Sequence, residues 1–379
     1  MVKKVVIAIV AFCLFIVGIF SIQKLVMPKY LYGSVPEGSL IEEYYSQSHD
    51  NQVIFVGDCE CYENISPITM YNKYGITSTI RGSAQQLIWQ SYYLMKETLK
   101  YETPRVFVFN VLAMQYGEPQ KEEYNRLNLD GMKWSKDKWD SIQESMTEDE
   151  SVVEYILPIL RYHSRWSELK AEDFKYMFGG KPTISHRGFM MRVDVKKKAK
   201  IPEPTPLTDY RLPETCYTYL NKMVKLCDEN HIDLMLIKAP SLYPAWHEEW
   251  DVQIQEFAEK NHLYYINLLS KYKKVGINWN KDTYDGGLHL NLSGAEKVAT
   301  YLGKKIKKKY GLKSLKKNET VAASWAPVIE YYNQMKKDQE AELKEYGYLK
   351  SYGAKAPEPK TETKKTTTTK KKTTKTTKK

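Results

Sequence analysis

Short apolar runs alternate with helical patterns along much of this chain, and this alternation limits the available folds more than any other feature. Residues 53–56 and 105–111 are mainly apolar runs of strand length, and residues 75–80 are rich in β-branched residues, whereas residues 66–74 and 84–101 have helical spacing. Strands that are apolar throughout are typical of a sheet covered by helices on both faces. Helices between successive strands favour parallel pairing. The sequence therefore predicts an α/β fold, a three-layer α/β/α domain with a mainly parallel sheet.

The same alternation returns in the second half of the chain. The expected elements are a helix over residues 214–230, a strand over 232–237, a helix over 250–261 and a strand over 263–268. A last helix is expected after His289. Ser293 as its N-cap and Glu296 three residues later form a capping box pattern.

Between these two halves, at about residues 118–206, apolar residues follow helical spacing instead. The two series with this spacing are Trp134, Trp139, Ile142 and Met146, and Val153, Ile156, Leu157 and Leu160. We therefore predict an α/β domain over residues 51–312 that carries a helical insertion. A helical extension over residues 313–352, with a helix at about 322–346, is expected to follow it.

The N-terminal segment predicts a membrane anchor. Residues 5–22 are eighteen consecutive uncharged and mostly apolar residues, which is near the minimum length for crossing a bilayer. No small-residue cleavage pattern follows, so residues 1–27 are expected to stay as a signal anchor, with residues 28–50 as a linker. Lys3 and Lys4 favour a cytoplasmic N-terminus, which places the main domain outside the cell membrane.

The positive charge is concentrated in the C-terminal tail. The chain carries a formal net charge of +11, and residues 353–379 contain ten lysines and two glutamates, which is +8 and leaves +3 elsewhere. The main domain therefore lacks the charge typical of nucleic-acid binding. The Lys/Thr-rich tail is predicted to be disordered, serving as a spacer or as a contact for anionic wall polymer or lipid headgroups.

The sequence contains no pattern that predicts a cofactor or a metal. Metal-ligand spacing, phosphate-binding glycine loops and dinucleotide fingerprints are all absent from the 379 residues. The five cysteines do not have the number or spacing of a disulfide scaffold, and they are expected to be free thiols.

A candidate nucleophile follows the first apolar strand, in Gly57-Asp58-Cys59. A thiol at the start of a helix is expected to have a lowered pKa, which makes its thiolate accessible near neutral pH. Far along the chain, Asp285 and His289 stand before the last helix. An imidazole can take the thiol proton, and a carboxylate can fix the tautomer of that imidazole. Cys59, His289 and Asp285 therefore form a candidate catalytic set.

Two further groups of residues are candidates for substrate binding. Arg161, His163 and Arg165 lie close together in the insertion and could bind an anionic acceptor, although a solvated helix face explains them equally well. Lys238 and Ser241 follow a strand on the side of the sheet where α/β proteins bind ligands. A purely structural loop is the alternative for these two.

These blocks resemble those of the SGNH/GDSL hydrolase superfamily, and in particular its membrane-anchored, extracytoplasmic branch. That branch is similar to the D-alanyl-lipoteichoic-acid transfer proteins and the alginate O-acetylation proteins. The family's nucleophile block, Gly-Asp-Ser, falls on residues 57–59, with Cys59 in place of the serine. Its second block contributes a glycine N–H to the oxyanion hole, and Gly82 is the match.

The later family blocks match with one change in spacing. The third block uses an asparagine side chain as an oxyanion donor, and Asn110 is the candidate. The fourth block is Asp-x-x-His, whereas here Asp285 stands four residues before His289. Asp282 is the alternative partner for that histidine.

The resemblance implies an extracytoplasmic acyltransferase or esterase acting on acyl esters of a cell-envelope glycopolymer. It implies no cofactor, and it suggests a membrane-embedded acyl-donor protein as a partner. The alternative is a catalytically inactive protein of the same fold that binds envelope glycan or a membrane acyltransferase partner.

Overall fold

Five parallel strands form the sheet of the computed structural model, which describes residues 2–27, 39–178, 183–201 and 203–352. The strands are β1 (Val53–Gly57), β2 (Ser78–Gly82), β3 (Val106–Asn110), β4 (Asp233–Lys238) and β5 (Tyr264–Asn267). Their order is β2-β1-β3-β4-β5, and every pair is parallel. The predicted mainly parallel sheet is therefore confirmed.

Fifteen α-helices lie in the described residues. They are α1 (Val2–Val26), α2 (Ser39–Glu43), α3 (Cys59–Asn64), α4 (Pro67–Tyr74), α5 (Ile88–Thr98), α6 (Glu122–Leu129), α7 (Lys136–Ser145), α8 (Val152–Ile156), α9 (Ile159–Tyr162), α10 (Ala171–Phe178), α11 (Glu214–Glu229), α12 (Glu248–Lys260), α13 (Tyr272–Val275), α14 (Leu292–Tyr310) and α15 (Glu319–Tyr346). Short 3-10 helices cover Tyr44–Ser46, Val111–Gln115, His163–Glu168 and Lys350–Tyr352.

Helices cover both faces of the sheet, which is why its strands are buried along almost their whole length. Val53 and Phe55 of β1 face a core formed with α4, α14 and α15. Ile54 and Val56 point the other way, into a core formed with α5, α11 and α12. This alternation of side chains between two apolar layers is the three-layer arrangement that the sequence predicts.

Helix α4 begins as predicted, whereas the next strand lies further along the chain than expected. The hydroxyl of Ser66 accepts a hydrogen bond from the backbone N–H of Thr69, and Pro67 is the first helical residue. Gly75, expected to begin the strand, instead ends α4 in a left-handed conformation with φ 68°. Strand β2 therefore covers 78–82 rather than 75–80, and α5 starts at Ile88 rather than at residue 84.

The N-cap of α14 is Asn291 and not the predicted Ser293. The Asn291 side chain accepts a hydrogen bond from the backbone N–H of Gly294 at 3.2 Å. Ser293 already lies inside the helix, and its hydroxyl donates to Asp282 at 2.9 Å. The cap prediction is wrong because a long-range acceptor binds the serine side chain.

Helices α6 to α10 lie where the insertion is expected, between β3 and β4. On α7, Ile142 is buried as its spacing suggests, but Trp139 is exposed and so is Trp134 just before the helix. Helix α15 packs into the core on one face of the sheet through Val321, Trp325 and Tyr332. The C-terminal helix is thus part of the main core.

Helix α1 is long and apolar enough to cross a membrane, and its apolar stretch is not buried against the rest of the protein. A membrane anchor and a signal sequence both have this composition. Residues 28–38 of the predicted linker and the whole Lys/Thr-rich tail, residues 353–379, lie outside the described residues.

Candidate active site

The candidate site lies at the carboxyl ends of β1 and β3, where the strand order reverses. Chain connections leave the sheet in opposite directions there, and the gap between them is the usual ligand site of open parallel sheets. Cys59 follows β1 as the first residue of α3, and Asn110 ends β3. Topology therefore places the predicted nucleophile at the edge of the sheet where binding is expected.

The turn before Cys59 is held by Asp58 and needs a glycine before it. The Asp58 carboxylate accepts a hydrogen bond from the backbone N–H of Glu60 at 3.1 Å, which caps α3. Gly57 has φ 155°, and a Cβ there would stand 2.9 Å from the Asn110 Cβ and from the sulfur of Cys61. The tight turn leaves Cys59 partly exposed, whereas Cys61 is buried.

His289 is oriented by Asp285. The Nδ1 atom of the imidazole lies 2.7 Å from Oδ2 of that carboxylate. Its other oxygen, Oδ1, accepts hydrogen bonds from the backbone N–H groups of Leu288 at 3.1 Å and His289 at 2.9 Å. Gly286 and Gly287 have φ values of 97° and 120°, which close the loop that the extra residue creates. The longer spacing thus still brings the carboxylate to the ring.

Asp282, the alternative partner, has a different task. Its carboxylate accepts a hydrogen bond from the backbone N–H of Asn278 at 2.7 Å and pairs with the ammonium group of Lys297 at 2.5 Å. It therefore holds the start of α14 and is not available to His289.

Asn64 joins the two halves of the site, although they are far apart in the sequence. Its side-chain oxygen accepts a hydrogen bond from the backbone N–H of Leu290 at 2.8 Å, and its amide donates to the Pro240 carbonyl at 3.0 Å. The end of α3, the loop after β4 and the loop that carries His289 are thereby held together.

A second carboxylate, from Glu63, also reaches His289. The Oε2 atom of Glu63 lies 3.9 Å from Nδ1, and the same carboxylate accepts a hydrogen bond from the hydroxyl of Tyr284. The Tyr284 ring lies nearly parallel to the imidazole, at 14° and 6.0 Å between centroids. The sequence analysis missed Glu63, yet its position four residues after Cys59 places both on one face of α3.

The electrostatic surroundings favour a proton on His289. Burial opposes the positive charge, but Glu63, Cys59 and Asp285 together raise the pKa of His289 well above its ordinary value. Burial acts to raise the pKa of Asp285, yet its bonds to His289 lower it below the ordinary value. Burial also raises the pKa of Glu63. These surroundings favour the protonated form of His289 beside an ionised Asp285.

The thiol of Cys59 has a raised pKa, which is the opposite of the expectation from its place at a helix start. Burial is the largest cause, and the charge of His289 offsets it only in part. The Nε2 atom of His289 has no regular hydrogen-bond partner among the described residues. Since Asp285 binds Nδ1, we assign Nε2 as the atom available to the Cys59 thiol.

Asn110 is already bound by other groups and does not stand free as an oxyanion donor. Its amide nitrogen donates both hydrogens, one to Asp58 and one to Glu60, each at 3.0 Å. Its side-chain oxygen accepts from the backbone N–H of Ala239 at 2.9 Å. The predicted role for this side chain is therefore not available in this arrangement.

Gly82 lies directly beside the nucleophile turn. It pairs with Gly57 across β1 and β2, and a Cβ on Gly82 would stand 2.7 Å from the Gly57 carbonyl oxygen. Close packing against Gly57 therefore explains why a glycine is needed at position 82. An oxyanion role for the Gly82 N–H stays a prediction.

Lys238 and Ser241 form a buried network with Glu60 and do not line an open cleft. The ammonium group of Lys238 lies 2.8 and 2.9 Å from the two carboxylate oxygens of Glu60, and both side chains are fully buried. The hydroxyl of Ser241 donates to the same carboxylate. Because they are buried, the prediction that they contact substrate is wrong. Their bonds to Glu60, the residue after Cys59, indicate that they support the nucleophile turn.

The predicted anion-binding group contacts residues outside the candidate catalytic set. Its members are Arg161, His163 and Arg165. Arg161 pairs with Glu122 at 2.9 Å, and the Nδ1 atom of His163 lies 2.7 Å from the Leu160 carbonyl. Arg165 donates to the backbone carbonyl of Val26, at the end of α1, at 2.6 Å. These contacts explain the cluster without a bound anion.

The hydroxyl of Tyr116 has a raised pKa. Burial raises this pKa to about 12, and the charges of Asp58 and Cys59 act in the same direction.

The described residues contain no group of three or more His, Cys, Asp or Glu side chains arranged to hold a metal ion. The candidate site itself brings together a thiol, an imidazole and two carboxylates.

Comparison with known proteins gives matches among solved structures only. No family model matches the chain, and no curated protein does. A Bacteroides fragilis protein assigned as an acylhydrolase is 13% identical with a TM-score of 0.34, covering 70% of this chain and 90% of its own. A GDSL-like lipase from Bacteroides thetaiotaomicron is 13% identical with a TM-score of 0.33, covering 70% and 95%.

The chain is thus similar to solved structures named acylhydrolase and GDSL-like lipase.

Proposed function

We propose that this chain is a membrane-anchored acyltransferase or esterase of the SGNH/GDSL type that acts on acyl esters of a cell-envelope glycopolymer. Cys59 is the nucleophile, His289 transfers protons, and Asp285 orients His289. The observation that carries the proposal is the 2.7 Å contact between His289 Nδ1 and the Asp285 carboxylate. It accompanies the position of Cys59 at the carboxyl end of β1.

The proposed reaction begins when Nε2 of His289, in its neutral form, takes the proton of the Cys59 thiol, which gives a thiolate and imidazolium pair. The Cys59 thiolate attacks the acyl carbonyl carbon, the C–S bond forms, and the ester C–O bond breaks while Nε2 of His289 gives its proton to the leaving oxygen. The neutral imidazole then takes the proton of an acceptor hydroxyl as that oxygen attacks the thioester. The C–S bond breaks, and the thiolate and imidazolium are restored.

Glu63 and Asp285 suit the first half of this cycle. Both carboxylates favour the charged form of His289, and that charge lowers the pKa of the Cys59 thiol against the effect of burial. The oxyanion that forms on the acyl carbonyl needs donors, and the backbone N–H groups of Cys59 and Gly82 are the proposed ones.

The compartment and the substrate class follow from the anchor and the family resemblance. Helix α1, with Lys3 and Lys4 before its apolar stretch, is proposed to keep the N-terminus in the cytoplasm and the α/β domain outside. The acceptor is then a sugar or polyol hydroxyl of an envelope polymer. A membrane-embedded protein is the proposed source of the acyl group.

The test is to trap the acyl enzyme on Cys59. We expect the full-length protein in detergent micelles to gain one acetyl group when treated with an activated acetyl ester, with the group located on Cys59 by peptide mass spectrometry. Cys59→Ala should abolish the adduct, and His289→Ala should slow its formation by a factor of about 10² or more, the usual scale of acid–base catalysis. Absence of acetyl at Cys59 in the wild-type protein would overturn the enzyme proposal.

A non-catalytic binding protein of the same fold is the second candidate. The raised pKa of Cys59 and the full use of the Asn110 amide by Asp58 and Glu60 favour it, because both weaken the catalytic machinery. In that case soluble envelope glycan fragments should bind the wild-type protein and the Cys59→Ala variant equally, and neither protein should be acetylated.

A further inference from the structure

The cluster of basic and aromatic residues in the helical insertion is not explained by the proposed catalytic site. Helices α8 to α10 and the turns between them expose six large apolar side chains to solvent, and we call these residues the platform. They are Val153, Ile156, Leu160, Trp166, Phe174 and Phe178. Exposed apolar groups gathered on one small subdomain indicate a surface that something covers.

The platform lies directly at the end of α1. Helix α1 packs against α9, against the 3-10 helix His163–Glu168 and against α10. Leu25 and Val26 are buried in this contact, Ile16, Ile19 and Gln23 are half-buried, and the apolar residues before Ile16 are exposed. The insertion therefore packs along the C-terminal part of α1, from about Ile16 to Val26.

Polar contacts fix this junction. One nitrogen of the Arg165 guanidinium donates to the Val26 carbonyl at 2.6 Å, and another lies 3.3 Å from Asp173. Asp173 is buried and also accepts a hydrogen bond from the backbone N–H of Lys170 at 2.9 Å. The arginine thus joins the Val26 carbonyl of α1 to Asp173 of α10, which fixes the platform relative to the end of α1.

This end of α1 lies at the membrane interface if the helix spans the bilayer. A helix of 25 residues is about 37 Å long, whereas the hydrocarbon core is about 30 Å thick, so the end of α1 lies at headgroup level. Groups packed around Val26 lie at the same level. Tryptophan and other aromatic side chains, with arginine and lysine beside them, are the residues enriched there.

Helix α10 has the pattern of a helix that lies in an interface. Phe174 and Phe178 are one turn apart and both exposed, which puts them on one face, with Lys175 exposed beside them. Asp173 points the other way, into the junction with Arg165. Apolar side chains that face lipid next to a cationic group are typical of interfacial helices.

We infer that the platform is a second membrane contact, in which the apolar side chains of α8 to α10 insert into the headgroup region of the bilayer around α1. This inference rests on the proposed membrane anchor and not on the acyl-transfer chemistry. The occupant is lipid, because the platform surrounds the one end of α1 at which the protein and the membrane must meet.

The contact would set the orientation of the catalytic domain. The insertion is bound to the active-site edge of the sheet, since the Asn128 amide of α6 donates to Ser83 at 3.2 Å and to Gln86 at 2.8 Å. Those residues follow Gly82, beside the nucleophile turn. A platform resting on the bilayer would therefore hold the site at a fixed distance from the membrane surface, where acyl donors and lipid-linked acceptors lie.

The experiment is photolabelling of the full-length protein in lipid nanodiscs that contain a phospholipid with a photoactivatable acyl chain. We expect labelled peptides from α1 and from residues 152–178, and no labelling around Val252, an exposed apolar residue of α12. The double variant Phe174→Ser/Phe178→Ser should lower labelling of residues 152–178 at least fivefold while α1 is labelled as before. Val252→Ser is the matched control and should change neither.

Labelling confined to α1 would overturn the platform while leaving the anchor intact, and this result would also be expected if another protein covers these residues. Absence of label from α1 itself would overturn both the anchor and the platform. Acetylation of Cys59 in micelles is measured separately, so failure of the platform is distinguishable from failure of the proposed chemistry. The double variant should be acetylated at the wild-type rate.

Discussion

At the residue scale, the reactivity of Cys59 depends on two opposing effects on its proton. Burial raises the pKa of the thiol, and the charge of His289 lowers it. Only the thiolate is alkylated, so the rate of reaction with iodoacetamide should rise with pH. The midpoint of this rise should lie at a higher pH than the midpoint for an ordinary free cysteine. His289→Ala removes the lowering charge and should move that midpoint to higher pH.

The opposite shift serves as the control for this prediction. Glu63 acts directly to raise the pKa of Cys59 but also supports the charge on His289, so its direct effect is measured without that imidazole: Glu63→Gln added to His289→Ala should move the midpoint back to lower pH. The rates are measured in a Cys13→Ser background, because Cys13 is the other thiol that is not buried among the described residues. A further rise of the midpoint when Glu63→Gln is added would contradict the proposed arrangement of charges around the thiol.

The buried pair of Lys238 and Glu60 is expected to stabilise the nucleophile turn. Both side chains are fully buried and lie 2.8 Å apart, so removing one leaves the other charge unpaired. Lys238→Met should lower the free energy of unfolding by about 3–5 kcal/mol, measured by urea titration.

The double variant Lys238→Met/Glu60→Gln should recover part of that loss, because no unpaired charge remains in it. Equal losses in the single and double variants would show that packing, rather than charge, explains the effect. A double-mutant cycle separates the two contributions.

At the element scale, the loop between Asp285 and His289 depends on its glycines. Gly287 has φ 120°, and a Cβ there would stand 3.0 Å from Cδ1 of Leu242, whose backbone N–H bonds to the Gly287 carbonyl at 2.7 Å. Gly287→Ala should displace the loop and lower the rate of Cys59 acetylation by about tenfold or more, as misplacement of catalytic groups does.

Gly311→Ala is the matched control for this change. Gly311 ends α14 with φ 63°, and a Cβ there would meet no other atom within 4 Å. The cost should be about 1 kcal/mol of stability with no change in the acetylation rate. Equal rates for Gly287→Ala and the wild-type protein would show that the loop tolerates the displacement.

Local patterns were sufficient to predict the existence and the type of the sheet elements, but not all of their ends. The apolar run of β1 and the Ser66-Pro67 start of α4 are encoded by adjacent residues, and both predictions are confirmed. Ser293 has an equally good cap pattern, yet its hydroxyl binds Asp282, eleven residues away. Where a distant partner binds a side chain, neighbouring residues cannot indicate its role.

At the scale of the whole molecule, the same limit applies to the candidate site. Asp285 and His289 are close in sequence, so their pairing could be proposed before the structure was known. The partner of Glu60 is Lys238, 178 residues along the chain, and only the parallel sheet brings them together. Asn110 likewise has the residue type of an oxyanion donor, but the buried acids beside it use its amide hydrogens.

The C-terminal helix is expected to be needed for the stability of the whole domain, although it follows the last element of the sheet layers. Trp325 is fully buried and stacks on Tyr71 of α4 at 4.4 Å, with the guanidinium of Arg187 4.6 Å from its ring. Trp325→Ala should lower the free energy of unfolding by about 3–5 kcal/mol, measured by urea titration in micelles. Trp134→Ala is the control, since that residue is 52% exposed and lies outside the platform, and its loss should cost about 1 kcal/mol or less. An unchanged unfolding midpoint in Trp325→Ala would show that α15 is an appendage and that the sheet domain folds without it.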